Sequence, residues 1–331
     1  MMKTIVKIEI ALLVIVLLVA AGMILVSEGV LNLFREPVIA ERAPLPIPTE
    51  AIIEAPEATE PGVEPPEKAK DPRVISAQKY FAFDIREDGY LAKQGDGAER
   101  VYPASITKLL TCYTLLQHMK PDTQVTVGDA LKLVQWDSSV AGLEEGDVLT
   151  IEQLIAAMLL PSGNDAAQVA AVAAGRAIAG DNHLNYETAV EVFVGEMNRQ
   201  AEALGMVNSH FANPDGFHRD DHYTTMDDLV ALCKTVLTEQ TILKYAGMTE
   251  LTVSVSGREL TWENTNLFLH ESLPTYLPNA IGMKTGYTGA AGNCLVSAFF
   301  MEDSVLLIGV FGCPPFTEDR YLDTLAIYNN L

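Results

Sequence analysis

At 331 residues the chain is long enough for one large domain or two small ones, and with 49% of its residues apolar it can bury a sizeable core, which excludes global disorder. Its 44 acidic side chains against 22 basic ones leave a formal charge of −22. That balance argues against a nucleic-acid partner, whose phosphates need a basic footprint, and suits an exposed soluble domain that interacts weakly with anionic membranes.

The chain opens with Lys3 and Lys7, then an apolar run from Ile10 to Val26, and Glu28 is the next charge. At an extreme N-terminus such a run reads as an export signal or membrane anchor, which we assign to residues 1–36. Val19-Ala20-Ala21 offers a small-residue cleavage site, but the apolar run continues past it, so the expectation is a retained anchor. The remainder is then extracytoplasmic and associated with the cell membrane through this segment.

Residues 37–72 change character. Nine of the 17 prolines fall here among glutamates and short residues, as in Pro44-Leu-Pro-Ile-Pro48. Proline fixes φ and lacks an N–H donor, so this stretch reads as a semi-extended linker with a reach of up to ~100 Å.

A globular domain is expected over residues 73–331. Ala77 to Ile85 alternates as a strand, Asp88-Gly89 marks a tight turn, and Tyr90 to Lys93 returns. After Pro103, the side chains Leu109, Cys112, Tyr113 and Leu116 fall at helical spacing. Thr150 with Gln153 forms a capping box before an apolar helix to Leu160. An alanine-rich helix runs from Asp165 to Ala179 and stops at Gly180; another spans Glu187 to Leu204 and stops at Gly205. Thr225 with Asp228 opens a further helix to Leu237. Then come strands at Leu251–Val255, Ile281–Thr285, Asn293–Met301 and Ser304–Phe311, and a closing helix from Asp319 to Tyr328. A strand hairpin, a helical middle, then strands and a last helix describe an antiparallel sheet flanked by helices. No internal repeat is visible.

Three short motifs carry chemistry. Ser105-Ile-Thr-Lys108 puts a hydroxyl and an amine on one helix face. Ser105 falls in the first turn, where unpaired N–H groups favour developing negative charge, and a neutral lysine can accept its proton. Alone the pattern is weak, for Ser76-Ala-Gln-Lys79 has the same spacing at the mouth of a strand. Ser162-Gly163-Asn164 lies in a loop between two helices, where it also reads as a turn and cap. Lys284-Thr285-Gly286 ends an apolar strand. In this order and these settings the three form the S-x-x-K, S-x-N and K-T-G set.

On those motifs and their flanks the chain resembles the D-alanyl-D-alanine carboxypeptidases, low-molecular-weight penicillin-binding serine peptidases. The stretches that carry the likeness are Tyr102–Thr111, Leu160–Ala167, Met197-Asn198, Ala203–Met206, Phe211–Gly216 and Gly282–Gly292, and it covers about Ser76 to Leu331. The resemblance implies an α/β fold of the β-lactamase/transpeptidase type: an antiparallel sheet flanked by helices, with a mostly helical subdomain. It implies Ser105 as acylated nucleophile, Lys108 as its base, Ser162 as proton relay and Asn164 as the group that positions Lys108 and the substrate backbone. Lys284 and Thr285 would bind a terminal carboxylate, and the charge of Lys284 would help keep Lys108 neutral. The N–H groups of Ser105 and Tyr287 would form the oxyanion hole. Arg320 stands roughly where the family often has a carboxylate-binding arginine. Peptidoglycan stem peptides would be the substrate, β-lactam antibiotics covalent inhibitors, and no cofactor or metal is called for.

Two departures stand out. The chain ends one helix after its last strand, where larger members continue into a β-rich domain, and Asp215 occupies a position often held by histidine. Alternatives on the same fold are a DD-endopeptidase, a β-lactamase or a non-catalytic sensor of β-lactams or muropeptides. No glutamate between Asn164 and Lys284 is followed four residues later by asparagine, the loop with which class A β-lactamases activate a deacylating water. His218-Arg-Asp-Asp-His222 lacks a metallopeptidase pattern. Cys112, Cys233, Cys294 and Cys313 read as buried thiols, with a Cys294–Cys313 disulfide permitted in an exported chain.

Overall fold

The computed structural model describes residues 71–331. The apolar N-terminal segment, its cleavage site and all but the end of the proline-rich linker lie outside the described residues. Among the described residues no helix is long and apolar enough to cross a membrane.

A five-stranded antiparallel sheet forms the framework, in the order Gly89–Gln94, Lys79–Asp84, Val305–Cys313, Gly292–Phe300, Ala280–Thr288. Period-two alternation assigns its faces. Leu306, Ile308 and Val310, with Leu295 and Phe299, face the C-terminal helix Asp319–Asn330 and meet its Tyr321, Ile327 and Tyr328. Val305, Leu307 and Phe311, with Cys294, Val296 and Ala298, join the opposite core that contains the helices Thr107–His118, Ile151–Leu159 and Asn164–Ala179. A sheet covered on both faces needs near-continuous apolar strands, which is the character of Val305–Cys313. Each fully buried Leu or Phe here contributes about 1.5–3 kcal/mol.

The caps expected from the sequence are made. Thr150 and Gln153 close a reciprocal capping box, the Thr225 hydroxyl accepts from the Asp228 N–H, and Gly180 ends its helix in the left-handed conformation. Asn185, rather than Glu187, starts the next helix: its side chain accepts from the Thr188 N–H, and the helix runs Tyr186–Ala203. Among the strands not foreseen, one is long. Arg258–Glu263 pairs with Glu250–Val255 across a Ser256-Gly257 turn, both residues at positive φ.

The strand that bears Lys284 differs most from expectation. It does not end at Thr285 but continues to Thr288, which pairs with Gly292, so Lys284-Thr285-Gly286 sits mid-strand. This is an edge strand, and its two halves are treated differently. A Cβ on Gly282 would lie 2.1 Å from the Ala246 carbonyl, so the end of the helix Gln240–Ala246 closes over the first half. A Cβ on Gly286 would lie 2.9 Å from the Pro103 carbonyl and 3.2 Å from the Ser105 nitrogen. The second half therefore runs directly alongside the start of the Ser105 segment.

The chain's entry into the domain is pinned to its last helix. Asp323, fully buried, accepts from the Ser76 and Ala77 N–H groups, the Ser76 hydroxyl and Arg73 Nε. All four cysteines are buried free thiols, including Cys294 and Cys313.

Candidate active site

Pro103 precedes a short 3₁₀ turn, Ala104–Ile106, which leads into the helix Thr107–His118. Ser105 therefore stands just before the α-helix proper and Lys108 one turn further on. Lys108 is fully buried, and its Nζ has three partners: Ser105 Oγ at 2.8 Å, Asn164 Oδ1 at 2.7 Å and the Asp215 carbonyl at 2.7 Å. Burial holds its pKa down to about 8, against the attraction of the Asp215 carboxylate.

Two of those partners matter for direction. A carbonyl and an amide oxygen are acceptors only, so they claim two N–H groups of Lys108 in either protonation state. When Lys108 is neutral, its lone pair is then left for the Ser105 hydroxyl. Asn164 is itself oriented by its Nδ2, which donates to Ser138 Oγ at 3.0 Å.

The Ser162 loop is shaped by the carboxylate of Asp165, which accepts from the N–H groups of Ala141, Gly142 and Leu143. This fixes the loop that carries Ser138 and Ser139, and Ser139 Oγ donates to the Ser162 carbonyl at 2.7 Å. Ser162 has φ +64° and lines the cleft, and among the described residues its hydroxyl makes no hydrogen bond to Ser105 or Lys108. It is brought to the cleft but not into the Ser105–Lys108 pair.

At the other end Lys284 is buried, with Nζ 3.0 Å from the Thr285 carbonyl and 3.4 Å from its hydroxyl. Its pKa is pushed well below the ordinary lysine value by burial and by repulsion from Lys108 and Arg320. Burial is the largest cause for both lysines, with repulsion from Lys108 the next cause at Lys284. Arg320 donates to the Gly286 carbonyl at 3.2 Å, while its buried Nε has no partner. Among the described residues neither Lys284 nor Arg320 forms an ion pair. Two basic side chains thus lie near each other at this end with no acidic partner among the described residues.

Ser105, Ser162, Asn164, Thr285, Tyr287 and Arg320 all line one cleft of about 360 Å³. Thr265 lines it as well, with its hydroxyl 2.6 Å from that of Thr285. Thr265, Ser138, Gln168 and the Asp215 carbonyl were invisible in the sequence, since each reaches the site by tertiary contact. His218 lines the cleft, whereas His222 is buried 2.8 Å from the Thr107 hydroxyl, and burial drives its pKa down to about 3. Its Nδ1 accepts from the Ala212 N–H, so the neutral ring donates from Nε2 to Thr107.

Residues 66–314 match the family described as D-alanyl-D-alanine carboxypeptidase. DacA of Escherichia coli K12 is 32% identical over 252 residues, which cover 72% of this chain and 56% of DacA. DacF of Bacillus subtilis is 28% identical over 232 residues, covering 69% of this chain and 55% of DacF. The chain thus spans about half the length of these two relatives. The Streptomyces K15 DD-transpeptidase structure superposes with a TM-score of 0.69 at 28% identity, covering 78% of this chain and 98% of that one. DacD of Francisella tularensis, at 21% identity and a TM-score of 0.65, shows the same fold. The serine–lysine pair, the asparagine that orients it and the basic side chains beyond it therefore sit in a member of the D-alanyl-D-alanine carboxypeptidase family.

Proposed function

We propose that the protein is a serine D-Ala-D-Ala carboxypeptidase that removes the terminal D-alanine of peptidoglycan stem peptides through an acyl-enzyme on Ser105. The observation that carries this reading is Lys108 Nζ, buried, 2.8 Å from Ser105 Oγ, with its other two N–H groups claimed by acceptors. Ser105 Oγ bonds to the scissile carbonyl carbon as the carbonyl electron pair moves onto oxygen, and the hydroxyl proton passes to Lys108. The N–H groups of Ser105 and Tyr287 are the candidates for receiving that oxyanion. On collapse the C–N bond breaks and a proton goes to the departing amine of D-alanine. Water then opens the ester and returns Ser105. Ser162, at the cleft wall, is the candidate to pass a proton between Lys108 and the leaving group.

Thr285 and Arg320, which line the cleft, and Lys284, which is bonded to Thr285, suit the substrate's terminal carboxylate, the one anion such a peptide brings to its C-terminal end. The same chemistry makes β-lactams covalent inhibitors. The apolar segment and proline-rich linker support an extracytoplasmic domain tethered to the membrane.

The test is incubation of the full-length protein with a pentapeptide ending in D-Ala-D-Ala and, separately, with a cross-linked dimer. Release of free D-alanine from the first supports the carboxypeptidase. Cleavage of the dimer alone marks an endopeptidase, and no release from either marks a sensor.

A further inference from the structure

Asp215 is 2% exposed, forms no ion pair among the described residues, and its carboxylate is satisfied by N–H donors alone. Gln168 Nε2 donates to Oδ2 at 2.8 Å and the Phe217 N–H donates to Oδ1 at 2.8 Å. A buried carboxylate without a cation is costly, and neutral donors compensate it only in part. The same residue's carbonyl accepts from Lys108 Nζ. Charge and carbonyl thus come from one residue, locked against the helix that carries Gln168.

We infer that Asp215 is a positioning residue for the proton transfer: its carbonyl aims Lys108 and its buried carboxylate stabilises the ammonium formed when Ser105 gives up its proton. This rests on Lys108 as the base of the proposed carboxypeptidase. Of the other acidic groups around Lys108, Asp165 pushes the same way but less strongly. Asp165, in the first turn of the Asn164 helix, has its carboxylate occupied by four N–H groups, those of Ala141, Gly142, Leu143 and Ala166. Cys112, on the helix of Lys108 itself, is held neutral by burial, which pushes its thiol pKa up. Lys284 on the edge strand is repelled by Lys108, and burial holds its own pKa well below the ordinary lysine value. His222, against Thr107, is neutral. Asp215 is the largest electrostatic influence that favours the protonated lysine.

The carboxylate therefore makes Lys108 a stronger base and moves its titration upward. Asp215→Asn keeps the carbonyl. A flip of Gln168 also keeps the side-chain bond, because Gln168 Oε1 is buried without a partner and can accept from the new amide. Acylation by a chromogenic β-lactam is measured against pH for the full-length protein, with thermal unfolding recorded alongside. In Asp215→Asn the acid limb shifts down by about one pH unit, and the high-pH plateau falls as the base weakens. Adding Gln168→Glu restores a carboxylate one hydrogen bond away, and the limb moves back up. A lowered plateau with the limb unmoved in Asp215→Asn, or no return in the double variant, overturns the inference while leaving the functional reading intact. A wild-type protein that never acylates, or does so without an acid limb, overturns both.

Discussion

Gly216 lies so close to Ala104 that a Cβ added to it would sit 1.9 Å from the Ala104 carbonyl oxygen. The two residues belong to the loop that supplies Lys108 with its carbonyl partner and to the turn that presents Ser105. Gly216 also has φ +83°, a conformation that favours glycine. No flexible side chain can yield here, so a substitution must move backbone beside Ser105.

Gly216→Ala should accordingly lose about 100-fold in acylation rate, because a displacement near 1 Å at the reacting atoms has that effect. Stability should fall by about 1–3 kcal/mol from the strained φ. Kinetics of β-lactam acylation together with urea unfolding check this. Undiminished acylation would show that the turn at Ala104 tolerates displacement.

Acylation should rise with pH. Lys108 with a pKa of about 8 is mostly protonated at pH 6 and cannot accept the Ser105 proton. The rate should climb close to tenfold per pH unit below that value and level off above it. A rate that is flat from pH 6 to 9 would contradict a lysine base.

The roles of the two buried lysines separate by substrate. Lys284→Ala should reduce kcat/KM by roughly 100-fold for a peptide ending in a free carboxylate and much less for its C-terminal amide, since the lost interaction is with that charge. Lys108→Arg, which keeps a cation but abolishes the neutral base, should stop acylation with both. Equal losses for both substrates in Lys284→Ala would remove the carboxylate-binding role.

Asp323→Ala should destabilise the domain by about 3 kcal/mol, because it strands two N–H groups that the buried carboxylate now satisfies and leaves Arg73 only Asp319 as an acidic partner. For a domain of this size that lowers the thermal midpoint by roughly 10 °C. The segment Arg73–Ala77 should become protease-sensitive at the same time, as limited proteolysis would show.

Much of this site was legible in the sequence because its chemistry falls in short, fixed spacings. Ser105 and Lys108 are one helical turn apart, and Lys284 with Thr285 are neighbours on a strand. What escaped was assembled by distance in sequence. Thr265 meets Thr285 only because a connecting segment packs against the edge strand, and Asp215 serves Lys108 through a backbone oxygen that no side-chain pattern announces. The strand Arg258–Glu263 escaped for another reason: its exposed face alternates charge with threonine and resembles loop surface. Lys284-Thr285-Gly286 seemed to end a strand because glycine follows, yet pairing with Gly292–Phe300 carries the strand past it to Thr288.

Cleft chemistry also bears on how long an acyl group persists. Its acidic lining among the described residues is Asp137, with no glutamate, and Glu196 is engaged with His118 and Arg199 away from the site. With no glutamate in the lining to activate a deacylating water, the penicilloyl adduct should last minutes or longer. Mass spectrometry of the penicillin-treated full-length protein therefore reads the central claim directly. Peptide mapping should place a single adduct on the peptide that contains Ser105, and Ser105→Ala should abolish it while leaving the thermal midpoint near that of wild type. An adduct on Ser76 or Ser162, or no adduct at all, would contradict the account.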